Sequence, residues 1–215
     1  MPSVKTNTIA VQAMSDPLQD NTTFGTTKEY VSPYYFTTVS QNWREKWAEY
    51  VKNLKEEDYQ YNELSYDDEH RDIHIKKYRT CDLHFLDPNS SFYTVGKQLF
   101  TWINRKFYKY DLSDVFEFQL IRYRPGGEYD WHCDYGSSPV AGYVRKISMS
   151  IQLSDESDYE GGNLDILNHS NQKVVAPKHF GAATVFDSKL AHKAEPVTSG
   201  IRFVLVGWAN GPRLR

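Results

Sequence analysis

Hydrophobic positions recur at two spacings along the chain, and the change between them falls near residue 112. In "SQNWREKWAEYVKNLKEED", Trp43, Trp47, Tyr50, Val51 and Leu54 fall at helical spacing behind Ser40, which suits an N-cap. A second stripe, Val95, Leu99, Trp102, Ile103 and Phe107, predicts a helix near 92–108. Between the two, "EEDYQYNELSYDDEH" is acidic and reads as a solvated connection, with a flap over a pocket as the lesser alternative. "RDIHIKKYRT" and "CDLHF" read as strands. Beyond residue 112 the runs "VFEFQLIRYR", "RKISMSIQLS", "GNLDIL", "QKVVA", "AATVFD" and "IRFVLVGW" are short and β-rich, with Gly, Pro, Asp and Asn between them. Short strands joined by such turns predict an antiparallel sandwich or barrel with the two helices packed outside it.

Residues 1–27 are rich in Thr, Ser, Asn and Asp, follow neither period, and read as an irregular arm. A single domain is expected over 1–215, with supporting helices and strands at 28–112 and a β-core at 113–210 that carries the site.

Composition narrows the function classes. Hydrophobic residues make up 40% of the chain and aromatics 15%, enough for a large core and unlike a disordered composition. A net charge of -3 gives no general pull toward nucleic acid or an anionic membrane, so neither partner is expected. No apolar run approaches the roughly 18 residues of a spanning helix, and "MPSVKTNTIAVQAMSDP" lacks a secretory pattern, so a cytoplasmic setting is expected. Cys81 and Cys133 allow at most one disulfide and fit a reducing compartment, Cys133 being read as a small buried residue. No glycine-rich phosphate loop and no internal repeat is present.

The candidate chemistry lies in "YRPGGEYDWHCDYG", residues 123–136. In a strand, residues two apart share a face, so His132 and Asp134 point together and Cys133 points away. One imidazole and one carboxylate need a further ligand, for which His70, His74, His84, His169, His179 and His192 are the candidates. His192 stands out, between "AATVFD" and the most apolar strand of the C-terminal half. Ten residues on, Arg202 opens a period-two face with Val204, Val206 and Trp208, which places a guanidinium in a cavity. A buried guanidinium needs an anion, because a broken buried pair costs on the order of 3–5 kcal/mol. The pattern therefore joins a metal held by His132, Asp134 and His192 to a carboxylate ligand held by Arg202. The competing bland readings are an internal ion pair of Arg202 with Asp187, and ordinary core tyrosines at Tyr123 and Tyr129. His70 and His74, four apart in "HRDIH", are read as strand surface residues in preference to a second metal site.

The order H-x-D, a histidine sixty residues later and an arginine ten further on resembles the Fe(II)/2-oxoglutarate-dependent dioxygenases. "YRPGGEYDWHCD" is similar to the prolyl 4-hydroxylase-like members, while "DYEGGNL" and "HKAEPVTSGIR" resemble the bacterial PKHD-type hydroxylases. The resemblance covers roughly residues 115–210. It implies a mainly β fold, a double-stranded β-helix (jelly roll) core buttressed by the N-terminal helices. It implies His132, Asp134 and His192 as Fe(II) ligands, with Arg202 on the distal carboxylate of 2-oxoglutarate and Tyr123 donating its hydroxyl to the same cosubstrate. Gln152 and Trp208 are implied as further cosubstrate-binding residues. Fe(II), 2-oxoglutarate and O2 follow as the reaction's requirements, with ascorbate as an auxiliary reductant. The implied reaction hydroxylates an unactivated C–H bond and releases succinate and CO2. Many animal and plant prolyl 4-hydroxylases carry lysine where Arg202 stands, which favours the bacterial branch; Asp134 disfavours halogenation. A prolyl residue of a peptide or protein is the first expected substrate. The alternatives are a free amino acid, another small molecule or nucleic acid, and the rival class is a non-enzymatic metal- or ligand-binding jelly roll. Neither a monomer nor a dimer is preferred.

Overall fold

Alternation along the central strands decides which side of the sheet each residue serves. In the computed structural model, which describes residues 33–66, 76–136 and 138–213, the chain order is β1 (Tyr34–Thr38), α1 (Gln41–Asn53), a 3-10 turn (Glu56–Asp58), β2 (Gln60–Tyr66) and β3 (Lys76–Phe85). Next come α2 (Ser91–Ile103), a π-helical turn (Asn104–Tyr108), β4 (Phe116–Tyr123), β5 (Glu128–His132) and β6 (Tyr143–Gln152). The rest is strands: β7 (Tyr159–Gly161), β8 (Leu164–Leu167), β9 (Lys173–Val175), β10 (Ala182–Asp187), β11 (His192–Ala194), β12 (Val197–Gly200) and β13 (Arg202–Pro212).

All strand pairs are antiparallel, and the main sheet runs β1-β10-β6-β13-β4-β3-β5-β11-β8-β9, with β2 on the outer edge of β3 and a separate β12-β7 pair. Strand β3 makes the corner. Its residues 82–85 pair with β4 and its residues 79–80 pair with β5, so one strand belongs to both walls. The sheet curls into a jelly roll, the double-stranded β-helix expected.

On β4, Phe116, Phe118 and Leu120 face the helices, and Ile121 and Tyr123 face the interior of the roll. On β13, Leu205 and Ala209 join the helix side while Val204 joins the interior. The helix-side core collects Trp47, Leu99, Phe100 and Ile103 over Ile147, Met149, Ile151 and Val185. Both helices thus buttress one wall through their apolar stripes, the dominant stabilising term for amphipathic helices.

Several expectations are corrected. Residues 56–64 are mostly exposed, as expected, but residues 56–66 are more than a connection: Glu56 pairs with Arg122 and Arg124, and β2 pairs along β3. Ion pairing and sheet edge hydrogen bonds organise a segment that composition alone marks as loose. "RDIHIKKYRT" and "CDLHF" join into one strand from Lys76 onward. Ser40 occupies the N-cap position of α1, but its side chain makes no cap hydrogen bond; Ser90 caps α2 by accepting from the Tyr93 N–H at 3.1 Å. The second helix ends at Ile103 and closes with the π-helical turn. The 1–27 arm and the His70 and His74 pair lie outside the described residues. Among the described residues, no helix is long and apolar enough to cross a membrane.

Candidate metal and anion site

His132 and His192 face each other as cross-strand partners, His132 closing β5 and His192 opening β11. Their ring centroids lie 4.1 Å apart. Each ring donates its Nδ1–H to a backbone carbonyl, of Asp130 at 2.7 Å and of Leu190 at 3.0 Å. A carbonyl only accepts, so both Nδ1 atoms carry a proton, and Nε2 is the atom each ring has left to offer a metal. Both Nε2 atoms converge on one carboxylate: His132 Nε2 lies 3.7 Å from Asp134 Oδ1, and His192 Nε2 lies 3.4 Å from Asp134 Oδ2. The donor atoms of the three residues all fall within 4.8 Å of one another.

A β-bulge produces part of this aim. The β5–β11 register shifts between His192 and Ala194, so two residues of β5, Asp130 and Trp131, oppose the single Lys193 of β11. The extra residue puts Tyr129 and His132 on the same side although they are three apart, and their rings stack at 3.5 Å. Asp134 is placed otherwise than strand alternation predicts. It lies past the end of β5, where its N–H and that of Tyr135 both donate to the Ser188 carbonyl, at 3.0 and 2.9 Å. Cys133 accordingly points outward and is exposed, not buried as expected, with its thiol near the Lys189 carbonyl.

The electrostatics suit a cation. Burial, then the neighbouring His192, pushes the His132 imidazole down to about 3, so the ring is neutral and available as a ligand. Burial raises the Asp134 carboxyl, but the two imidazoles and hydrogen bonds from Ser148 and the Trp208 indole outweigh it, and the carboxyl lies below its ordinary value. Ser148 Oγ donates to Asp134 Oδ2 at 2.7 Å and also lies 2.9 Å from Ser188 Oγ. Two imidazoles that each present Nε2 and one ionised carboxylate, each braced from behind, fit a divalent first-row ion with positions to spare.

At the other end of the same cavity stands Arg202, only 2% exposed. It pairs across β13–β4 with Tyr123, whose ring centroid lies 5.3 Å from the guanidinium carbon. Its Nε donates to Gln152 Oε1 at 3.1 Å. No carboxylate among the described residues forms an ion pair with it. Asp187, the internal partner considered above, instead accepts from the Tyr110 hydroxyl and the Lys189 N–H. The Tyr159 hydroxyl is buried beside Arg202 with no partner in bonding geometry. One neutral amide does not balance a buried guanidinium, so this end of the cavity fits an anion.

Close packing at Arg202 explains part of the "YEGG" run. A Cβ on Gly162 would meet Val197 Cγ2 at 2.9 Å and Arg202 Cδ at 3.1 Å, and its φ of +58° already disfavours other residues.

The open cleft joining the two ends spans about 480 Å³ including its solvent-filled mouth, and Ile121, Leu164, Phe186, Val204 and Val206 form its apolar walls. Arg202, Val204, Val206 and Trp208 all line it, as period two on β13 requires. Of the other residues singled out from the sequence, Tyr123 lines the cavity, with burial raising its hydroxyl above the ordinary value. Gln152 holds Arg202 from behind and is not part of the lining. Trp208 lies at the end formed by His132, Asp134 and His192, its indole beside Asp134 and Arg145 3.8 Å from its ring. His84 and His179 lie elsewhere, bonded to Tyr50 and Thr38.

Ser148, Tyr159 and Arg79 line or brace the site and were not singled out from the sequence. A signal for the first existed: on β6, Ile147, Met149 and Ile151 enter the helix-side core, which turns Ser148, Ser150 and Gln152 inward as a polar row.

Comparison with known proteins bears on the same region. Residues 118–210 match the model of the 2OG-Fe(II) oxygenase superfamily. A PKHD-type hydroxylase of Synechococcus sp. (strain CC9902) is 35% identical over 91 residues, 41% of this chain and 39% of the relative. A PKHD-type hydroxylase of Sphingopyxis alaskensis is 38% identical over 89 residues, 40% of each. The aligned stretch thus spans about two fifths of the length of these curated relatives. Among solved structures, a Pseudomonas putida prolyl-4-hydroxylase superposes with a TM-score of 0.64 at 19% identity, over 85% of this chain and 94% of that one. A Trichoplax adhaerens prolyl hydroxylase in complex with a hypoxia inducible factor peptide fragment gives 0.64 at 15% identity, over 83% of each chain. At such identities the likeness is one of fold.

Proposed function

We propose, from the premise that residues 118–210 form a 2OG-Fe(II) oxygenase domain, that the chain is an Fe(II)- and 2-oxoglutarate-dependent dioxygenase that hydroxylates an unactivated C–H bond. The observation that carries the reading is the joint occupancy of one cavity by the His132, Asp134 and His192 cluster and by a buried, carboxylate-free Arg202. Bound Fe(II) with 2-oxoglutarate and O2 supplies the oxidising chemistry, in which the keto acid leaves as succinate and CO2 and one oxygen atom enters the substrate C–H bond.

The chain's own residues bind and orient. His132, Asp134 and His192 hold the ion, and the carbonyls of Asp130 and Leu190 keep both imidazoles in the ligating tautomer. Ser148 fixes the Asp134 carboxylate, with the Trp208 indole beside it. Arg202 takes the distal carboxylate of 2-oxoglutarate through its planar fork, with Gln152 holding its Nε and the Tyr123 hydroxyl adding a donor. The apolar walls keep bulk water from the oxidising centre. No general acid, base or nucleophile of the chain is required.

A prolyl residue is the first substrate proposed, supported by the names of the fold neighbours, while the relatives' name supports hydroxylation. The neighbour with a bound peptide supports a peptide or protein as its carrier. Ascorbate as auxiliary reductant belongs to the same proposal. The test is oxygen-dependent release of succinate from 2-oxoglutarate by the Fe(II)-loaded protein. Turnover that stops when Fe(II), O2 or 2-oxoglutarate is omitted is expected; no succinate under any condition, with a panel of prolyl peptides present, refutes the enzymatic reading.

A further inference from the structure

We propose that Arg79 anchors a carboxylate of the primary substrate, so that this site acts on carboxylate-bearing substrates in preference to neutral ones. The inference deepens the dioxygenase reading and rests on it.

Arg79 lies on β3, paired across to Tyr129 on β5, and lines the same cavity as the metal cluster and Arg202. Its guanidinium carbon sits 4.8 Å from the centroid of the Tyr129 ring, which itself stacks on His132. Arg79 therefore stands one aromatic ring away from the metal cluster, on a different strand from Arg202. Its only hydrogen bond among the described residues runs from Nε to Cys81 Sγ at 3.2 Å, a weak acceptor. No carboxylate among those residues reaches it. Other arginines of the sheet are matched: Arg122 and Arg124 by Asp82 and Glu56, and Arg145 by Glu117.

Loading the site leaves Arg79 unmatched. Asp134 and the chelating end of the keto acid offset the divalent ion, and the far carboxylate of the keto acid offsets Arg202. Arg79 is then the remaining cation among the described lining residues without a counter-charge. A half-buried guanidinium, lying against an aromatic ring and with its terminal amino groups making no hydrogen bond among the described residues, is arranged for a carboxylate that arrives with the substrate. That carboxylate has two possible sources of the same chemistry: the α-carboxylate of a free amino acid, or an acidic side chain beside the target residue of a peptide.

The test is calorimetry on the full chain loaded with Mn(II) and N-oxalylglycine, which hold the site without turnover. Two pairs of probes are titrated. One is L-proline against L-prolinamide; the other is the end-blocked peptide Ala-Glu-Pro-Gly against Ala-Gln-Pro-Gly. The proposal expects the charged member of one pair to bind about tenfold or more tighter than its neutral partner, the range of a charge-assisted hydrogen bond. The pair that responds identifies the source. Arg79→Gln is expected to erase the preference and Arg79→Lys, which keeps the charge, to retain part of it. Affinity for N-oxalylglycine is expected to fall in Arg202→Gln and to hold in Arg79→Gln. Equal binding within both pairs, or no binding of any probe, overturns the proposal. So does loss of N-oxalylglycine affinity in Arg79→Gln matching that in Arg202→Gln, which would assign Arg79 to the cosubstrate. Failure of the unsubstituted protein to bind N-oxalylglycine at all is a different result, since it removes the dioxygenase reading itself.

Discussion

Asp134 depends on Ser148. The serine hydroxyl donates to the same Oδ2 that faces His192, so it fixes which way the carboxylate presents its lone pairs. Ser148→Ala is expected to weaken metal binding about 10- to 100-fold, as loss of a hydrogen bond behind a ligand does, while the circular dichroism spectrum stays the same. A titration with Mn(II) monitored by electron paramagnetic resonance measures it, and unchanged affinity would mean that Trp208 alone positions the carboxylate. At the opposite end, Arg202→Gln is expected to lower N-oxalylglycine affinity about 10- to 100-fold and leave metal affinity without the analogue unchanged, which calorimetry resolves. The contrast between these residues marks what a sequence can reveal. His132, Asp134, His192 and Arg202 are visible because charged or metal-capable groups inside apolar strands are costly unless matched. Ser148 and Arg79 are ordinary polar residues until the strands align them, so their roles belong to the register and not to the local sequence.

One ring of the sheet is packed especially tightly against a helix. Phe118 of β4 is clamped between Gly96 of α2 and Gly207 of β13: a Cβ at the first would lie 2.4 Å from the ring and one at the second 2.6 Å. Gly207→Ala is therefore expected to destabilise the protein by about 1–3 kcal/mol through overpacking. Gly96→Ala is expected to cost less, because the helix regains about 1 kcal/mol of propensity. Urea denaturation of both variants gives the comparison, and equal stability of all three proteins would show that the ring moves aside freely. The two helices were legible because their apolar stripes recur at helical spacing, and the C-terminal strands because turn residues bound them. The bulge in β5 was not legible, since only the partner strand defines it. Strand β2 was hidden in an acidic run whose Glu56 finds Arg122 and Arg124 only in the folded chain.

Across the whole molecule, the curl of the sheet brings β5, β11 and β13 around one cavity, and that convergence is the central claim. Short strands bounded by turns implied an antiparallel sandwich or barrel and the family resemblance implied the roll, whereas the closing role of β3, shared between both walls, depends on pairings that no local pattern encodes. The most direct test is an anaerobic titration of the metal-free protein with Fe(II) and then 2-oxoglutarate, followed by visible absorption. A keto acid chelated to Fe(II) absorbs in the visible through charge transfer, so the band reports metal and cosubstrate in one place. The unsubstituted protein is expected to develop the band with one equivalent of each, and His132→Ala, Asp134→Ala and His192→Ala to develop none. No band in the unsubstituted protein, or a band that persists in all three variants, would contradict the account.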